Sequence, residues 1–456
     1  MAKKNNLTEG NIPKALFKLA LPIMGTSFVQ MAYNMTDMFW VGKMGSRAVA
    51  AVGTAGFYIW LAMAFILIPK IGAEVGVAQS VGNKDMTEAK AYIRHSMQLI
   101  VGIALFYASI LIIFRKYLIG FFNLGDADIN NTAISYLVVI ACGILFSFLN
   151  PVFTAVFNGY GESKTPFLIN STGLVVNMIL DPLLIYGIGP FPRLEVIGAA
   201  LATIIAQAVV TAIFIALAVK RTELFSDLHL FKLPDMTHIT RIVKLGFPVA
   251  LQSGLFTGFA MLVARIIAQW GPIPIAVQKI GSQLEAISWM TAGGFQTAMA
   301  AFAGQNFGAQ KWKRVVRGYF AGLSIMSVIG ILASLLLILA ARPLFSIFIS
   351  EEETIRQGVI YLRILGFSQL FMCLESTSAG AFNGLGKTIP PSITGIVFNG
   401  LRIPAALLLS STSLGLKGVW WAISLSSICK GIVLTSWYLV MLKRNQIITF
   451  RRILER

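Results

Sequence analysis

Phe157-Asn-Gly-Tyr-Gly161 returns 225 positions later as Phe382-Asn-Gly-Leu-Gly386. Other segments recur with it. Lys18-Leu-Ala-Leu-Pro22 reappears as Lys244-Leu-Gly-Phe-Pro248, and Ala78-Gln-Ser-Val-Gly82 is echoed around Gln305 and Gly308, both at an offset of 226. Asn177 and Pro182 match Asn399 and Pro404 at an offset of 222, and Gly198 matches Gly418 at 220. An offset that falls slowly over five anchors marks an internal duplication, with its seam in the longest loop, 219–240.

The composition fixes the medium in which the two copies fold. Of 456 residues, 56% are hydrophobic and 12% charged, against about 25% charged in an ordinary soluble domain. The mean hydropathy is +0.76. Windows of about 20 apolar residues, the length needed to cross a bilayer, give twelve spans: 14–41, 48–80, 92–114, 132–155, 166–188, 196–219, 241–268, 275–303, 315–341, 357–382, 389–411 and 416–441. The sequence therefore predicts an all-α integral membrane protein of twelve transmembrane helices. Six fall in each copy, an even number, so both copies enter from the same side and the repeat is parallel. The expected organisation is an N-terminal lobe over 1–220, a cytoplasmic linker over 221–240 and a C-terminal lobe over 241–456. Two such lobes facing across a cavity are the build of an alternating-access transporter.

The net charge of +18, from 37 Lys and Arg against 19 Asp and Glu, would suggest nucleic acid in a soluble chain. Its distribution says otherwise. With both termini inside, the cytoplasmic segments hold 23 basic residues and the outer loops 8, as the positive-inside rule requires. The other six, Lys70, Arg265, Lys279, Arg363, Arg402 and Lys430, lie within spans. The basic excess orients the chain in a plasma membrane with both termini cytoplasmic, and no nucleic acid partner is expected. The first apolar segment follows Lys3 and Lys4 without a small-residue cleavage site and reads as an uncleaved span. Cys142, Cys373 and Cys429 show no metal spacing or disulfide pattern, and His95, His229 and His238 read as loop residues.

Three motifs carry a resemblance: a first helix with Pro22 and Asp37, the run Asn158-Gly-Tyr-Gly-Glu-Ser-Lys-Thr165, and Asn177-x-x-x-Asp181-Pro182 followed by Gly198-Ala-Ala-Leu-Ala-Thr203. Over essentially its whole length the chain resembles the multidrug and toxic compound extrusion (MATE) transporters, and within them the DinF-like branch. The resemblance implies a V-shaped pair of six-helix lobes that expels organic, often cationic, compounds in exchange for H⁺ or Na⁺. It also implies a place for Thr203 in an N-terminal cation-coupling cluster. No cofactor is implied beyond the coupling ion. The expected partners are small-molecule drugs or organic cations and membrane lipid, and the chain is expected to act as a monomer.

Ionisable groups within a bilayer are costly and mark function by default. Five carboxylates qualify: Asp37, Glu74, Asp181, Glu285 and Glu375. Gln30, Tyr33, Asn34 and Asp37 fall at i, i+3, i+4 and i+7, one stripe of a helix. The matching stripe of the second copy, Phe256, Phe259, Ala260 and Val263, is apolar, which confines this chemistry to the first copy. Asp181 shares a face with Asn177, Gly173 and Asn170, and Pro182 removes the N–H that the Met178 carbonyl would have received. At about 1.5 Å per residue, Asp37 stands roughly 28 Å beyond Lys18 and Asp181 roughly 26 Å beyond Lys164, so both reach the outer half of the membrane. Asp37, Asn177 and Asp181 could hold a proton or Na⁺.

The substrate cavity is expected to draw on Gln30, Met31, Tyr33, Asn34, Asn150, Asn158, Met178, Glu285 and Glu375, with Pro22 as the kink of the first helix. Glu74 lies four residues from Lys70, as an intrahelical pair would. Glu285 and Glu375 fit equally a cationic substrate or a pairing with Arg265, Lys279 or Arg402. Two other readings compete: a lipid-linked oligosaccharide flippase of the same superfamily, which would need cationic residues for a pyrophosphate, and a membrane enzyme. The second lacks support, since there is no metal spacing, phosphate-binding glycine loop or cysteine pair.

Overall fold

The computed structural model describes residues 7–122, 125–226, 228–230 and 232–444. Lys3, Lys4 and the basic residues beyond Arg444, which entered the orientation count, lie outside them. All regular structure among the described residues is helical. The helices are α1 (Ile12–Gly42), α2 (Ser46–Gly82), α3 (Met86–Ile113), α4 (Arg115–Gly120), α5 (Ala127–Tyr160), α6 (Lys164–Tyr186), α7 (Glu195–Lys220) and α8 (Thr222–Phe225). The second copy continues with α9 (Met236–Ala268), α10 (Pro272–Gly308), α11 (Trp312–Leu339), α12 (Ala341–Ser346), α13 (Glu352–Gly366), α14 (Gln369–Gly384), α15 (Ile389–Ser410) and α16 (Leu416–Arg444).

Ten of these helices are long and apolar enough to cross a membrane, and α13 with α14, bent by 44° at their break, would make an eleventh. The twelfth expected span, 275–303, lies in α10. That helix has 37 residues but fails the same hydropathy test, because Gln278, Lys279, Ser282, Gln283 and Glu285 crowd its first half. Span 357–382 is two helices rather than one. The short α4 and α12, at matching places after α3 and α11, gave no separate signal in the sequence.

The chain forms two compact units. One is Gly25–Ala250; the other joins the described residues up to Met24 to those from Leu251 onward. The divisions fall inside α1 and α9, each two residues after a proline, Pro22 or Pro248, rather than in the 221–240 loop. The physical reason is packing: Leu7, Leu16, Leu19 and Ala20 are fully buried in one core with Phe295, Phe302, Tyr319 and Phe382. In the first unit α2 packs on α5 and α3, and α7 on α5 and α6; in the second α10 packs on α14 and α11, and α16 on α14 and α15. The duplication is thus visible in the packing order.

The quoted motif ends a helix in the same way twice. Gly161 takes φ +92° and Gly386 φ +73°, a region favouring glycine. Gly161 N–H donates to the Asn158 carbonyl at 3.0 Å and Glu162 N–H to that of Phe157 at 2.9 Å; Gly386 to Asn383 and Lys387 to Phe382 repeat the pattern at 2.8 and 2.9 Å. These are Schellman caps. Two residues earlier, Gly159 and Gly384 let two helices touch. A Cβ on Gly159 would meet the Glu74 carbonyl oxygen at 2.6 Å, and one on Gly384 that of Ala300 at 2.4 Å.

His95 is not a loop residue. It is fully buried in α3, where Nδ1–H donates to the Ala91 carbonyl at 2.7 Å and Nε2 accepts the Asp235 N–H at 3.0 Å. Its ring stacks on that of His238, 4.8 Å between centroids, and His238 begins α9. Asp235 caps this helix through Thr237 N–H at 2.9 Å; that bond, with the one from His238, holds its carboxyl down at about 2.

Replacing Gly159 or Gly384 by Ala should lower the melting temperature of the detergent-solubilised protein, by about 1–3 kcal/mol of overpacking each. An unchanged melting curve for both would refute the close-approach reading.

Candidate functional site

Three helices of the first unit bring the polar residues of the membrane interior together. α1 supplies Tyr33 and Asp37, α6 supplies Asn177 and Asp181, and α7 supplies Thr203 and Gln207. Tyr33 Oη donates to the Thr203 carbonyl at 3.3 Å. Four turns into α6, Asn177 Nδ2 donates to Asp181 Oδ1 at 3.1 Å, and both residues are fully buried. Asp37 is half-buried and acts electrostatically on Asp181. Tyr136 of α5, buried, feels both carboxylates.

Four oxygens in this group are enclosed and have no hydrogen-bond partner among the described residues: Asp37 Oδ1, Asn177 Oδ1, Asp181 Oδ2 and Thr203 Oγ1. A buried oxygen without a donor costs about 1–3 kcal/mol. Four of them on neighbouring helices, two from carboxylates, form a set of acceptors suited to a proton or a small hard cation. No such set is expected of a merely structural cluster, in which each acceptor would have found a donor. Gly173 keeps α6 close to α7, since a Cβ there would meet Val210 Cγ2 at 2.3 Å.

Not every expected residue joins the group. Gln30 and Asn34 are exposed and Met31 is half-buried, so the four-residue stripe of α1 turns only Tyr33 and Asp37 inward. Asn170 donates to Thr154 Oγ1 at 3.2 Å and to the Pro166 carbonyl at 2.7 Å. Met178 is exposed and borders an apolar cleft with Met35, Thr36, Phe39 and Trp40.

Asn150 and Asn158 do not line an open cavity. Asn150 Nδ2 donates to Gln207 Oε1 at 2.7 Å and to the Gln207 carbonyl at 3.0 Å, while its Oδ1 accepts from Thr211 Oγ1 at 2.8 Å. The side chain ties α5 to α7. Asn158 is buried in the last turn of α5. Gln207 and Tyr136 were missed because neither sits in a quoted motif; a depth count along α5 and α7 could have found them.

In the second unit Glu375 is engaged by Lys430, Nζ to Oε2 at 3.2 Å, a partner absent from the expected set. Arg265 and Lys279 are exposed. Glu285 is half-buried with Oε1 enclosed and unpartnered. Glu74 is buried and acted on electrostatically by Lys70, with no ion pair within 4.0 Å among the described residues. Pro22 stands inside a continuous α1.

Comparison with known proteins follows the duplication. The MatE family model matches residues 22–183 and again 248–408, once in each copy and beginning both times at the proline of the opening helix. The chain belongs to the MatE family. As a MatE protein it is a membrane transporter of small molecules rather than an enzyme. It is 29% identical to the probable multidrug resistance protein NorM of Thermotoga maritima over 424 residues, covering 91% of this chain and 90% of that one. It is 25% identical to the probable multidrug resistance protein YpnP of Bacillus subtilis, covering 93% and 94%. The structure of a MOP superfamily transporter from Pyrococcus furiosus superposes with a TM-score of 0.88 at 22% identity, covering 97% of this chain and 98% of that one, which shows the same fold.

If Asn150 ties α5 to α7, Asn150→Ala leaves Gln207 without its partner and costs about 1–3 kcal/mol. Its melting temperature should fall while transport per folded molecule holds. Lost transport at an unchanged melting temperature would instead put Asn150 in the substrate path.

Proposed function

We propose that this MatE protein is a secondary antiporter that exports organic, lipophilic and often cationic compounds by alternating access, with H⁺ or Na⁺ entering in exchange. The reading places it in the plasma membrane with both termini in the cytoplasm. The observation that carries it is the group of unpartnered oxygens around Asp37 and Asp181. The drug class is supported by relatives named as probable multidrug resistance proteins.

Two carboxylates facing each other in a dry helical bundle repel strongly, because the Coulomb energy of close charges rises as the dielectric falls. A proton on one of them, or a Na⁺ shared by Asp37, Asn177 and Asp181 with Thr203 at the edge, relieves that repulsion. The neutralised and the charged cluster then favour different packings of α1 against α6 and α7. Pro22 gives α1 a place to bend, since it leaves the Lys18 carbonyl without its helical donor. Drug and ion need not touch; each need only prefer a different state. A flippase of pyrophosphate-linked lipids is less well served, for this cluster presents acid where such a cargo needs base.

Proteoliposomes loaded with ethidium, with pH and Na⁺ gradients imposed separately, test the coupling. One gradient alone should drive movement, and Asp37→Asn should reduce it to the rate of protein-free vesicles while the variant still inserts. Movement driven by neither gradient, or full transport by Asp37→Asn, would overturn the antiport reading.

A further inference from the structure

The duplication can be followed residue by residue from the polar network of the first unit into the second. At the α5 offset of 225, Asn150 becomes Glu375; at the α7 offset of 220, Gln207 becomes Ser427 and Val210 becomes Lys430. An amide and a valine in the first unit are thus replaced by an ion pair in the second, Glu375 with Lys430. Beside it α15 adds Arg402, at a position where the first copy has Leu180. α10 adds Glu285, where the first copy has Ile59. None of these charges is needed to build the repeat, because the first copy folds without them.

Arg402 and Glu285 are not each other's partners. Arg402 Nε donates to Ser426 Oγ at 2.5 Å and Nη2 to Ser427 Oγ at 3.0 Å. It has no carboxylate within 4.0 Å among the described residues, although Glu375 and Glu285 act on it electrostatically. Glu285 Oε1 is enclosed with no hydrogen-bond partner among the described residues, and the Tyr361 hydroxyl lies beside the same carboxyl. A half-buried guanidinium held only by neutral hydroxyls retains its capacity to clamp a carboxylate. A buried carboxylate oxygen without a donor retains its capacity for a positive group. The Phe256 ring, 5.9 Å from the guanidinium carbon, offers a flat wall beside them.

We propose that this cluster is a subsite for an amphoteric small molecule, whose carboxylate is received by Arg402 and whose positive end is received by Glu285. Lys430 and Glu375 neutralise each other, so the site as a whole carries no net charge and favours a cargo that carries none. It differs in this from the Asp37 and Asp181 cluster of the first unit, which has no ion pair among the described residues. The inference rests on reading the chain as a small-molecule exporter.

The test is equilibrium binding by fluorescence anisotropy to the purified full chain in detergent, with rhodamine B, which carries a free carboxylate, and its ethyl ester, which does not. The acid should bind more tightly than the ester. Arg402→Gln should weaken the acid by about tenfold, as the loss of a charge-assisted bond pair implies, and leave the ester nearly unchanged. Glu285→Gln should weaken both dyes, which share the positive end. Should Arg402→Gln not remain monodisperse, Arg402→Lys keeps the charge but not the two-pronged clamp, and should still narrow the difference between acid and ester. Equal losses for the two dyes, no loss for the acid, or no binding of either dye would overturn the proposal. Failure of the coupling reading in vesicles and failure of this subsite in detergent are therefore separate results.

Discussion

An ionised side chain in the middle of a hydrocarbon layer costs about 2.5–3.5 kcal/mol even on the most forgiving scales, and more when it finds no partner. That cost governs where this protein puts its few charges. Only five carboxylates enter the spans, and each is answered differently. Glu375 has a lysine within 4 Å, Glu74 has Lys70 one turn before it, and Asp181 has the amide of Asn177. Asp37, Asp181 and Glu285 each keep an enclosed oxygen with no donor among the described residues. In a medium that penalises every such atom, the ones left over are the ones to explain, and they fall at the two clusters where transport chemistry is argued to reside.

The two copies share a scaffold and differ in chemistry. Helix order, Schellman caps and glycine contacts recur in both. The polar interior does not: the first copy gathers acids and amides, and the second mixes acids with bases. A duplicated scaffold lets the two halves specialise differently, because close contacts such as those at Gly159 and Gly384 are kept in both copies. Cation response and cargo recognition can then be tuned by different residues and joined only through the state of the whole chain.

Much of this was legible beforehand. The repeat, the twelve helical spans and the common depth of Asp37, Asn177 and Asp181 were read from spacing, since helical periodicity and rise fix face and depth. α10 escaped the hydropathy test for the same reason that it matters, its load of polar side chains. His95 was misread because polar neighbours mimic a loop, while the bond from Asp235 that buries it comes from 140 positions away. Asn150, Gln207 and Thr211 form a network whose members lie on different helices, and Lys430 meets Glu375 across another such gap. Periodicity within one helix carries no information about partners on the next, so pairings of this kind appear only once the bundle is assembled.

The division of the two units inside α1 and α9 bears on how the chain is made. Residues 7–24 are synthesised well before their core, since the apolar partners of Leu16, Leu19 and Ala20 lie from Ala292 onward. That segment must therefore wait for its core, and the membrane or the insertion machinery must shelter it while some 270 residues follow. The same arrangement speaks to origin. A single ancestral copy would have lent its opening half-helix to a twin and received one in return, a swapped homodimer, and fusion of the two genes would have made that loan permanent.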